Sequence, residues 1–99
     1  MNAHHQTDDL WLKVAIEIKK TANGSTGMRI KTIQKGQHIL ETDKAIIRMV
    51  DTDDGLDIRS ADFNDGQIWH ASNDENAKII AELSDGEKLE LQRNFGIKV

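Results

Sequence analysis

Asp51, Asp53, Asp54 and Asp57 crowd around Gly55, and clustered carboxylate oxygens are what a hard cation such as calcium takes as ligands. The spacing departs from the EF-hand loop, because Gly55 stands fifth from Asp51 and Asp62 fills the twelfth place where that loop needs a glutamate. An acidic hairpin turn explains the cluster better, so no metal is expected there. His38, Glu41 and Asp43 offer three ligands or an acid-base set, yet strand alternation puts His38 on the face opposite Glu41 and leaves Asp43 in a turn. His70, beside Trp69, comes just before a helix start, where ligands sometimes bind. An enzyme would need Asp62, His70 and His38 to converge, with Asp65 flanking the same turn as Asp62.

His4 and His5 with Asp8 and Asp9 form a terminal cluster that histidine-rich tails commonly show, and structural metal binding is not expected of it. The chain has no cysteine, which removes disulfides, thiolate metal sites and cysteine catalysis. It contains no serine nucleophile motif, phosphate-binding glycine loop or zinc signature. No cofactor is expected, and catalysis ranks third among the functions considered.

Charge suggests binding instead. The net charge of −4 hides a division, since residues 13–48 carry +5 and residues 51–99 carry −7. The simplest reading is that the halves neutralise each other through weak exposed pairs. The sharper one gives each half a docking patch. If residues 10–20 and 28–33 pair as strands, Lys13, Lys19, Arg29 and Lys31 share a solvent face with Trp11 and make a small basic ribbon. Asp53, Asp54 and Asp65 are the acidic counterparts in the turns. Nucleic acid is the second candidate partner, and that ribbon is where it would bind. The helix, Ser84-Asp85-Gly86 turn and second helix have helix-turn-helix spacing, but Asp85, Glu87 and Glu90 would then face phosphate. Only four aromatic residues occur, too few for a base-stacking platform.

The elements that must position these residues follow from periodicity. Residues 1–9 are polar, lack periodicity and read as a mobile tail, with 10–99 as a single α+β domain. Leu10, Leu12, Val14, Ile16 and Ile18 alternate with Trp11, Lys13, Ala15, Glu17 and Lys19, which predicts a strand over 10–20. Residues 21–27 then read as a loop, followed by strands over 28–33, 37–41, 45–50, 56–63 and 67–71. The near-continuous apolar run from Ala45 to Val50 suggests a central strand covered wholly or partly on both sides.

Ser72 with Glu75 and Ser84 with Glu87 have capping-box spacing, so one or two helices should close the chain. Ala77, Ile80, Ala81 and Leu83, with Ile79 beside them, form the apolar face of the first. Gly96 ends the second, with Ile97 folding back on Leu91, although Leu89 and Leu91 alternate with polar residues as a strand would. The expected fold is an antiparallel, curled meander of five to six strands with C-terminal helices packed on it.

These readings favour a small non-enzymatic protein that acts by contact with another protein, as an inhibitor, adaptor or regulator of the size carried by phages and mobile elements. Homodimerisation through sheet edges is a further expectation. No run approaches the roughly 20 apolar residues of a membrane span, so a cytoplasmic location is expected.

Overall fold

A computed structural model describes residues 10–24 and 29–97. The order of elements is α1 (Leu10–Ala22), β1 (Arg29–Gln34), β2 (Gln37–Glu41), β3 (Ala45–Thr52), β4 (Gly55–Phe63), β5 (Ile68–His70), α2 (Asn73–Glu82) and α3 (Asp85–Phe95). Each strand pairs antiparallel with the next, giving the sheet order β1-β2-β3-β4-β5. The fold is therefore α+β, an antiparallel meander with the C-terminal helices packed on it. The tail over 1–9 and most of the loop after Gly24 lie outside the described residues.

The expected first strand is a helix. Both periods fit Leu10–Lys20 on paper, because apolar residues fill most of its positions. Burial decides between them: Leu10, Val14, Ala15, Ile18, Thr21 and Ala22 are enclosed at helical spacing, whereas Ile16 is 50% exposed. Ala15 and Glu17, which a strand would have turned to solvent, are buried. The sheet consequently begins at Arg29, one strand short of the longest meander expected, and the two-stranded basic ribbon does not form. Lys13 and Lys19 ride on α1, while Arg29 and Lys31 stand on edge strand β1 in register with Glu41 and Ile39.

Inward residues of the meander share one face. His38 aligns with Met49 and Ile58, and Leu40 aligns with Ile47, Ala61 and Trp69. All of these side chains are buried. Ile58 and Ala61 are three apart and would point to opposite faces of a regular strand. The register shift between Arg48 and Met49 inserts Arg59 as an extra residue and restores the phase, as a β-bulge does. The other face of β3 is open, with Ile46 and Arg48 exposed, so the apolar run from Ala45 to Val50 is covered on one side only.

The three helices close the inward face. Ser72 caps α2, its hydroxyl accepting from the Glu75 amide at 3.2 Å. The buried stripe of α2 is Ile79 and Leu83, with Ile80 half-buried, while Ala77 and Ala81 face solvent. Asn76 explains this rotation. Where β5 has ended, its Oδ1 accepts from the Ile58 amide at 2.9 Å and its Nδ2 donates to Asp57 at 2.8 Å, taking the place of a strand partner.

Ser84 and Glu87 form a reciprocal capping box at the start of α3. Within α3 Leu91 is enclosed while Leu89 is 48% exposed, the mark of a helix with one buried stripe. Gly96 adopts the left-handed conformation at φ 71°, which lets the Ile97 amide donate to Leu91 at 3.3 Å and buries Ile97. Helix α1 packs against both C-terminal helices. Lys19 reaches Glu82 at 3.4 Å and Asn23 donates to Glu87 at 2.9 Å.

Candidate functional site

The outward face of the sheet is built by the same alternation that buries the core. Its rows run across the strands, one as Glu41, Ile46, Asp62 and Ile68, the next as Ile39, Arg48, Ser60 and His70. Ile46 is 40% and Ile68 59% exposed, while Ile39 and Val50 are half-buried. Charges stand between them and pair with each other: Arg48 Nη2 lies 3.0 Å from Asp62 Oδ2, and Arg59 Nη1 lies 2.8 Å from Asp57 Oδ2. Arg48 Nη1 also donates to Ser60 Oγ at 3.3 Å. Such exposed pairs contribute at most about 1 kcal/mol each, so their effect here is to fix the arginines in place and neutralise the face.

The expected binding residues are dispersed. Trp11 is half-buried against the core, with the Lys78 ammonium 5.6 Å from its ring centroid. Lys13 and Asp65 do come together, at 3.8 Å, and Lys13 also donates to Gln67 and lies 5.6 Å from the Phe63 centroid. Asp65 Oδ1 accepts from the Gln67 amide at 2.9 Å, closing the turn in which Gly66 takes φ 95°. Lys19 is held by Glu82 on the far side of α1. Asp53 and Asp54 sit at the tip of the β3–β4 hairpin, at the opposite end of the sheet from Asp65.

The aspartates around Gly55 do not converge. Asp51 turns to His38, whose Nε2 is 3.0 Å away, and Asp57 binds Arg59 and Asn76. Among the described residues no three acidic or histidine side chains gather in a way that would hold a metal ion. Asp62 and His70 both lie on the outward face, whereas His38 is buried on the inward one. The sheet itself therefore separates the three members of the expected His/Asp set. Sequence reasoning missed two features: the buried His38–Asp51 pair and the burial of Glu17. Each depends on neighbours distant along the chain, and no local spacing announces either.

A concave surface lies at the end of the sheet that carries Asp65. A cleft of about 550 Å³ runs between α1 and the β2–β3 and β4–β5 turns. Among the described residues no helix is long and apolar enough to cross a membrane. Comparison with models of known families, with curated proteins and with solved structures finds no match.

Proposed function

We propose that the protein is a non-catalytic binding module that engages a partner protein through the outward face of its sheet. The observation behind this is that all three helices lie on one side, leaving Ile46 and Ile68 exposed among ion pairs that are already satisfied. The partner this face fits presents apolar side chains between isolated charges of both signs. An apolar centre with a self-neutralised polar surround resembles the anatomy of protein interfaces more than that of a nucleic-acid site, where unpaired cations dominate. A reducing, cytoplasmic setting suits the cysteine-free chain, and action as an inhibitor or adaptor goes with its small size.

Affinity capture from the native host tests this when the protein is compared with the I46K/I68K double variant, whose lysines stand beside Glu41 and Asp62 across the strands, and with a D53K control at the hairpin tip. The expected outcome is a specific protein retained by the parent and by D53K and lost by I46K/I68K, with all three unfolding at similar temperatures. Equal retention by the double variant would remove the reading. A concentration-dependent dimer in sedimentation, abolished by I46K/I68K, would instead identify the partner as a second copy of the chain.

A further inference from the structure

We infer that the outer edge of β1 is a docking site for an acidic, extended segment of another protein, which joins the five-stranded sheet as a further strand beside residues 29–32. This edge is independent of the sheet face proposed above.

The two ends of the sheet are finished differently. At the β5 end little backbone is left to pair. The strand is three residues long, the Ala71 amide donates to the Arg59 carbonyl at 3.0 Å just beyond it, and the Asn76 side chain then accepts from the Ile58 amide at 2.9 Å. Short strands and covering groups of this kind blunt an edge. At the other end β1 runs six residues, Arg29–Gln34, and among the described residues β2 alone pairs with it. Its register with β2 is unbroken from Arg29 to Thr32, and the irregularity comes only after Thr32. In an antiparallel pair alternate residues give their N–H and C=O to the neighbouring strand, and the residues between them turn theirs to the free side. An added strand satisfies those groups by β-augmentation.

Charge selects the strand that can approach. Arg29 and Lys31 take alternate positions of β1, in register with Glu41 and Ile39, and Lys35 follows in the turn. No acidic residue occurs between Glu17 and Glu41. Glu41 stands beside Arg29, so Lys31 and Lys35 carry the excess. Like charges directly opposite each other across a pair of strands are destabilising. A second copy added antiparallel through β1 would set two basic strands side by side, which the edge therefore disfavours. A strand with carboxylates at alternate positions meets opposite charge and is the one this edge admits.

The test uses the full chain and three probes, with binding read by calorimetry and NMR. The first is an acetylated, amidated hexapeptide of alternating glutamate and valine, and the second replaces its glutamates by lysines. The third is the acidic peptide N-methylated at every residue, which keeps the charge and loses the backbone donors. The acidic peptide is expected to bind at millimolar concentration, to shift the amides of residues 29–34 and to slow the exchange of alternate ones. The lysine and N-methylated peptides should bind about tenfold more weakly or worse, since one meets like charge and the other cannot donate to the edge. Lys31→Glu should weaken the acidic peptide about threefold or more, because an opposite-charge pair across the strands becomes a like-charge one, while the unfolding temperature stays that of the parent. No binding of the acidic peptide, equal binding of either control, shifts centred away from β1, or undiminished binding by Lys31→Glu would overturn the inference. So would a dimer in sedimentation whose formation protects the same amides, because a second copy would then occupy the edge.

Discussion

At the scale of single residues, the clearest link between sequence and energetics is the pair Ser84 and Glu87. Their spacing is legible because both partners of each hydrogen bond sit within one turn of chain. The Ser84 amide donates to Glu87 Oε1 at 2.9 Å and the Glu87 amide donates to Ser84 Oγ at 3.1 Å. The Ser84 backbone amide holds the Glu87 carboxyl below its ordinary value, against a smaller opposing effect of burial, with Asn23 and Lys19 adding to the lowering. A carboxylate whose pKa is depressed on folding contributes stability above its unfolded value, and loses it as pH falls through the folded one. The stability advantage over Glu87→Gln should therefore be full at neutral pH and should close below the usual glutamate range near ~4.3. Urea denaturation at a series of pH values measures this, and a gap that persisted unchanged into acid would contradict it. Ser84→Ala should cost about 1 kcal/mol, the usual loss of an N-cap, at neutral pH. Glu17 shows the opposite limit of legibility. A lone glutamate in an apolar run reads as the solvent-facing residue of a strand, whereas the helical winding of α1 leaves Glu17 only 4% exposed.

At the scale of elements, α1 is where local pattern misled and where a substitution separates the alternatives. Ile16 and Ile18 lie on the same face of a strand and about 200° apart on a helix. Ile18 is fully enclosed in the core, so Ile18→Ala should cost about 2–5 kcal/mol through lost contacts and the cavity left behind. Ile16→Ala, at an exposed position, should stay within about 0.5 kcal/mol. Equal costs would support the strand pattern and contradict the helix. The other strands were legible because turn residues such as Asn64, Asp65 and Gly66 punctuate them, whereas Leu10–Lys20 carries no internal punctuation and its length suits either element.

The orientation of α2 was hidden for a different reason. Its apolar residues permit several rotations, and Asn76 selects one by completing β4 where β5 stops. Asn76→Ala leaves the Ile58 amide without that acceptor and should cost about 1–3 kcal/mol, with faster exchange of the Ile58 amide proton in NMR spectra as the specific sign. Unchanged protection at Ile58 would mean that the side chain does not hold that amide.

At the scale of the whole molecule, the division of charge along the chain turns out to fold onto itself. Lys13, Lys19 and Arg48 come from the basic half, and they pair with Asp65, Glu82 and Asp62 from the acidic one. The three pairs are mostly solvent-exposed, so salt should weaken them without unfolding the protein. They also leave these cations unsuited to a phosphate backbone, so the proposed docking face rests on the sheet's apolar residues and not on its charge. Two adjacent residues test whether that face is spare. Ile46 points outward and Ile47 inward, so Ile47→Ala should cost about 2–5 kcal/mol while Ile46→Lys, set between Glu41 and Asp62, leaves the unfolding midpoint nearly unchanged. A two-layer fold with one face unneeded for stability leaves that face open to selection for binding. Association through it should then release apolar surface from water, giving a negative heat-capacity change and only shallow salt dependence. A complex whose affinity instead fell steeply with salt would mean that cations outside these internal pairs make the contact.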